Sequence, residues 1–310
     1  MKVIYNTSSL HDKLISSNIP MPDTGEPALY NPATTYATGE KCYRETTYMI
    51  YESLVDSNTG NTPEDNTEGT TPAWLEVEAL NRHKMFDKYN NTYSTYAGDM
   101  EVVVNAGRTS TVAVLGVVGD EITFTLMNMS DVVIAQQTFK LLRHTVTNLY
   151  EYFYKQFEYT NRVFWTYPIS YNTKLKITVT NLSGVSKIGT LVFGLEKYLG
   201  ATEVGVDLSM DSFSIKERDT FGQVYLKQGA RSDECSFTIM VPGTATDLIH
   251  QFIESLDALP CVWVVDNAAT SAKALQILTI YGYLRSLDTV ITTKSESNKN
   301  KIRIGIIAFI

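Results

Sequence analysis

The sequence predicts a mainly β protein with an α+β C-terminal domain: a small β module, then a β-sandwich, then a sheet packed on one helix. Three observations carry this. Short apolar strands recur at ~8–12-residue spacing between turn residues through the middle of the chain. Only one stretch has clear helix boundaries: Thr246 offers an N-cap, Leu248, Ile249, Phe252, Ile253 and Leu256 share a face, and Pro260 follows. Charged residues are 19% of the 310, below the usual ~25%, with Thr, Ser, Asn, Gly and Tyr in their place.

Taken in order, residues 1–29 read as an extended N-terminal arm, with a short strand over residues 2–6 and the extended stretch over 7–29. Pro20, Pro22 and Pro27 remove donors and restrict the residues before them, so no helix is expected there. Such an arm either lies across a neighbouring subunit or is a plain linker.

Residues 30–80 form a small aromatic-rich β module, with strands expected at 41–43, 47–53 and 74–77. The segment from Asp56 to Thr71 is rich in Asn, Thr, Gly, Glu and Pro and reads as a surface loop.

Residues 81–203 form the β-sandwich. Met100–Val104 and the valine-rich run Thr111–Val118 read as strands, the second buried on both faces. Glu121–Met127 and Leu175–Asn181 alternate, and Gly189–Gly194 is another buried run. Between residues 132 and 157 two readings stand. Phe139, Leu142, Val146, Leu149 and Phe153 follow helical spacing, whereas Thr145, Val146 and Thr147 are β-branched.

Residues 204–310 form the α+β domain. Strands are expected at 207–216, 224–227, 236–241, 261–266, 275–284 and 302–309, around a helix over 246–259.

Composition restricts function. The net charge is −8 and the sequence pI is near 5.1, which gives no basic field for a phosphate backbone, so no nucleic-acid partner is expected. Cys42, Cys235 and Cys261 are few, odd in number and far apart. They suit neither a disulfide framework nor a zinc site, and are expected as reduced, packed thiols. The opening MKVIYNTSSLHDKL lacks a positive segment followed by an apolar one, so no signal peptide is expected. No apolar run reaches ~18 residues, so no membrane span is expected.

No catalytic motif emerges. His11, His83, His144 and His250 have no ligand spacing, and there is no GxSxG, P-loop or GxGxxG. Asp211, Glu217, Asp219 and Asp233 are dense enough to raise a glycosidase-type carboxylate pair, but they read better as a solvated strand rim. The expectation is a non-enzyme with no catalytic residues, no metal and no cofactor.

The module holds the candidate site. Tyr30, Tyr36, Tyr43, Tyr51 and Trp74 could present apolar ring faces on which sugar C–H groups stack. They could equally be the core of a module too small to bury enough surface otherwise.

The order Tyr30, Tyr36 with Gly39, Cys42, Tyr51, Pro63 and Trp74 resembles the small chitin- and cellulose-binding modules of polysaccharide hydrolases. Those modules carry paired exposed tryptophans near their end, where this chain has Trp74 alone. A longer resemblance runs through YESLVDSNTGNTP, NRHKMFD, GLEKYLGATEVGVDLSMDSFSIKERDTFGQVYLKQGARS, LPCVWVVD and IYGYLRSLDTVI. In that order they look like tailed-bacteriophage tail or tail-tip structural proteins that carry a carbohydrate-binding-like module. The resemblance implies a virion component assembled in the host cytoplasm. Its partners would be other tail proteins and copies of itself in a symmetric ring, with a host surface glycan as a further possible contact.

Overall fold

Among the described residues, nineteen strands and two short helices make up a mostly antiparallel β protein. The computed structural model describes residues 1–5, 10–87, 89, 92–142, 148–154, 159–182, 184–266, 276–291 and 299–309.

The chain begins with β1 (Lys2–Tyr5), a 3-10 turn at His11–Lys13, and β2 (Leu14–Ser17). β3 (Lys41–Tyr43), β4 (Met49–Ser53) and β5 (Trp74–Ala79) form a separate three-stranded sheet in that order. β6 (Ser94–Ala97) pairs with β11 (Val185–Ile188).

The frame of the middle region is β7 (Met100–Leu115) against β10 (Arg162–Thr180). β8 (Glu121–Asn128) pairs with β10, and β9 (Val133–Lys140) pairs with β8. The two runs expected at 100–104 and 111–118 are one strand, β7, carried through Gly107 at φ 59. Its first half alternates buried and open positions, and from Ser110 to Leu115 every residue is buried. The irregularity opposite it in β10 holds Pro168, where a missing donor costs no ladder bond.

Of the two readings for residues 132–157, the strand holds at its start. Asn128 Oδ1 accepts from the backbone N–H groups of Ser130 and Val132, both at 2.9 Å, and Asp131 sits at φ 63. That turn returns the chain onto β8 before any helix can start. The helix appears later and shorter, as α1 (Leu149–Tyr154); Thr145, Val146 and Thr147 lie outside the described residues.

β12 (Thr190–Tyr198) links the two halves. Its first residues pair with β7 and its last with β1. The other edge of β1 pairs with β17 (Cys261–Val264). From there the sheet continues through β18 (Thr279–Val290), β19 (Lys299–Ala308) and β16 (Arg231–Pro242) to β13 (Ala201–Ser212). The outermost hairpin is β14 (Ile215–Arg218) with β15 (Val224–Lys227).

Residues 10–19, read from sequence as a free arm or linker, pack on their own chain. β2 fills the edge of β7 below β12, Ile19 is in the core, and Asn18 bonds the backbone of Asp99 and Glu101.

The expected helix is α2 (Thr246–Glu254), which ends before Leu259. Ala245, not Thr246, is the N-cap, and no side chain caps it. The Thr246 hydroxyl instead donates to the Pro242 carbonyl at 3.1 Å and accepts from Asn300 at 2.9 Å. Ile253 and Leu256 enter the core with Ile249 and Phe252 alongside, but Leu248 is 68% exposed. The three cysteines are free and buried.

β1 serves two cores. Val3 points into the C-terminal one with Trp263 and Ile304, and Ile4 into the one shared with Phe164 and Val192. Replacing Ile4 by Ala is expected to cost ~2–5 kcal/mol, whereas Val224→Ala on the open hairpin should stay within ~0.5 kcal/mol. Urea unfolding monitored by tryptophan fluorescence measures both, and equal effects would contradict the central role of β1.

Candidate functional site

The module's aromatics converge inward. Trp74 is 0% exposed, Tyr51 1%, Tyr43 5%, and Tyr30 and Tyr36 7% each. Tyr30, Tyr36, Tyr51 and Trp74 share one cluster with Cys42, and Tyr43 packs with Ile50 and Leu80 in another. Alternation along β3 sends Cys42 and Tyr43 to opposite faces.

Trp74 is the hub. Its ring meets Tyr36 at 5.1 Å and Tyr30 at 6.0 Å, both edge-on, and its indole N–H donates to the Asn61 carbonyl at 2.9 Å. Tyr30 and Tyr36 stack at 5.8 Å. The Asp56–Thr71 loop is tied over them. Asn58 exchanges backbone bonds with Tyr36, and its amide donates to Ser53 and to the Ala73 carbonyl. The remaining face of Tyr30 is covered by the Arg44 guanidinium at 5.3 Å. Arg44 Nε and Nη2 both donate to Glu64 Oε1, at 3.1 and 2.7 Å. Burial pushes the Cys42 thiol up to about 11, so it is an inert packing group.

A sugar stacks only on an open ring face. The structure leaves these five rings none, and they act as the core that a sheet of three strands needs.

The Asn81–Asp87 cluster joins the module to the rest. His83 lies flat on Tyr48 at 3.8 Å, with His11 at 5.8 Å on nearly parallel planes and Phe86 at 6.1 Å. Both histidine Nδ1 atoms are buried without a hydrogen-bond partner. Burial first, then the neighbouring His11 and Arg82, lowers the His83 pKa to about 3; burial also lowers His11, with Asp12 opposing. Asn81 binds Asp23, Glu26 and Thr95, so the segment holds the N-terminal region, module and β6 together.

The other sequence candidates do not assemble into a centre. Asp219 caps the turn at the hairpin tip, accepting from the N–H of Phe221 and Gln223 at 2.9 and 2.8 Å. Glu217 lies on β14, while Asp211 and Asp233 lie on β13 and β16. His250 Nδ1 is 3.5 Å from Glu254, one helical turn on. His144 lies outside the described residues. Among the described residues no cluster of three or more His, Cys, Asp or Glu could hold a metal, and no helix is long and apolar enough to cross a membrane.

The open surfaces lie elsewhere. Beyond Glu234, the last β16 residue that pairs with β19, β13 and β16 run on from Met210 and Asp233 as a two-stranded ribbon that β14 and β15 continue. Phe213 N–H donates to the Ala230 carbonyl at the join. From Ser212 to Asp219 the ribbon reaches roughly 25 Å. Met210, Phe213, Ile215 and Leu226 are exposed along it, and Phe221 at the tip is 91% exposed. Every residue of β14 and β15 is exposed. A strand at 224–227 was expected from the sequence; that no layer covers it was not. α1 is a second open aromatic patch, with Tyr150 and Tyr154 rings 5.0 Å apart and Phe153 exposed.

No protein family matches the chain, and no curated protein matches it. Among solved structures, the lectin domain of lectinolysin complexed with Lewis B antigen aligns over 36% of this chain and 82% of that one. The identity is 10% and the TM-score 0.26. A histidine mutant of the same lectin domain with Lewis b aligns over 37% and 82%, at 10% identity and a TM-score of 0.27. At that level neither fold nor function transfers.

Two outcomes follow from this geometry. Trp74→Ala empties the hub of the module core and is expected to cost ~3–5 kcal/mol; a melting curve that barely moves would place Trp74 outside the core. The His83 pKa is lower in the folded chain than unfolded, so stability is fully present above about 6.5 and falls as pH drops towards 3. In that window the unfolded chain binds about one more proton at this residue. His83→Phe should flatten the decline of the urea midpoint between pH 7 and 5, and parallel curves for the two proteins would refute this.

Proposed function

We propose that the chain is a non-catalytic structural subunit of a tailed-phage virion. It is assembled in the host cytoplasm, resident in the tail, and joined to copies of itself in a symmetric ring and to other tail proteins. The observation that carries this reading is the ribbon of residues 210–233. An isolated two-stranded hairpin is marginal in water, and contiguous exposed apolar surface marks an interaction site. Here both faces of the hairpin carry such side chains. Ile215 and Tyr225 lie on one, Val224 and Leu226 on the other.

The sheet ends add to it. Its path runs from β13 to β9, and neither outer edge has a strand partner among the described residues. Val133 and Ile134 on β9 and Leu208 and Met210 on β13 are exposed beside those edges. Two different open edges on one subunit suit a head-to-tail contact, which closes into a ring. The sequence resemblance to phage tail proteins supplies the setting. A carbohydrate role for the module has less support, because its rings are interior.

Sedimentation velocity over a concentration series tests the reading, together with mass spectrometry of purified phage particles. The unmodified chain should self-associate and be found in particles. Phe221→Ser with Leu226→Ser, both at exposed positions, should keep the fold and remove association. A chain that stays a monodisperse monomer at high concentration and is absent from particles would overturn the proposal.

A further inference from the structure

A cavity of about 450 Å³ opens where the base of the ribbon meets the start of β12, the end of β7 and β18. Its lining is mostly polar. Arg162, Asn161, Arg231, Asp233, Gln228 and Tyr93 all contribute.

Arg162 is fixed before any ligand arrives. Its Nη1 donates to the Gln276 carbonyl at 2.9 Å and to the Thr279 carbonyl at 2.6 Å. That uses one corner of the guanidinium and sets its plane. Nε and Nη2, the parallel pair of donors that matches a carboxylate, have no hydrogen-bond partner among the described residues. The same pair on Arg44 holds Glu64 in this chain. Asp233 shares the cavity but forms no ion pair with Arg162, so the fork is not taken by it.

The other groups narrow the ligand. Two guanidinium groups against one carboxylate suit a single negative charge, and Asp233 disfavours a second one close by. Asn161, Gln228 and Asp233 offer donors and acceptors for hydroxyls. Tyr93, partly exposed, offers an apolar ring face for C–H groups. The volume is in the range of small-ligand sites.

We propose that this cavity binds an acidic sugar of the hexuronic type, with the Arg162 fork on its carboxylate and Asn161, Gln228 and Asp233 on its hydroxyls. The site lies at the base of the ribbon, away from the exposed Phe221 and Leu226 that the assembly test changes, and goes beyond the assembly role, so either can fail without the other.

Isothermal titration of the full chain with glucuronic or galacturonic acid tests it, with glucose and acetate as controls. At least one uronic acid should bind, with glucose and acetate about tenfold weaker or more, the loss expected when one part of the recognition is missing. Arg162→Lys keeps the charge but not the fork and should weaken binding about tenfold. Arg231→Ala, at an exposed position, should weaken it with an unchanged melting temperature, which separates lost recognition from misfolding. The inference is overturned if neither uronic acid binds, if acetate or glucose binds as well, or if both variants bind like the unmodified chain.

Discussion

Everything in the sheet depends on the four residues of β1. Both of its edges are paired, to β12 on one side and β17 on the other. Both of its faces are buried, Val3 in one core and Ile4 in another. Its one charged member, Lys2, stays satisfied by reaching Glu196 at 3.2 Å, with its ammonium 5.5 Å from the centre of the Phe164 ring. Without β1 the middle and C-terminal strands would each end in an open edge at their junction. With it they form one hydrogen-bonded path, and the remaining free edges move to the periphery, at β13 and β9.

The small sheet solves a different problem. Three strands cannot bury enough aliphatic surface, so the module uses aromatic rings arranged edge-on and stacked around Trp74, where each ring covers much of its neighbour. The loop over them is held by side-chain amides, Asn58 above all. Attachment to the body then falls to the stack of Tyr48, His83 and His11, two of whose members are histidines held neutral by burial.

Much of the fold was legible because it is written in local periodicity. The alternation of Ile122, Phe124 and Leu126, and the apolar run within 261–266, identify strands that the structure contains, the second ending at Val264. The breaks in legibility have physical causes. Gly107 joins two apparent strands because a glycine bulge continues a ladder as easily as it ends one. Leu248 fits a helical face by spacing but sits on the turn that α2 does not bury. Thr246 could cap a helix, yet a nearby carbonyl and Asn300 compete for its hydroxyl. At the candidate site, sequence named the right aromatics but could not tell inside from outside, because Tyr and Trp serve both. The strands of the ribbon were expected at 207–216 and 224–227, but its exposure and the Arg162 cavity were not legible. Exposure of β14 and β15, and the meeting of Arg162 with Asp233, are properties of the assembled topology.

The placement of β1 also sets an order of events during synthesis. Its second partner, β17, lies roughly 260 residues further along, tens of seconds later at ordinary elongation rates. β12 supplies one side of the slot earlier, but until Cys261–Val264 has left the ribosome the other side does not exist. That strand must therefore wait, its Val3 and Ile4 uncovered, while the module between residues 30 and 80 completes its own core. Closing so long a loop is slow, and the same empty slot on a neighbouring nascent chain would accept that strand equally well.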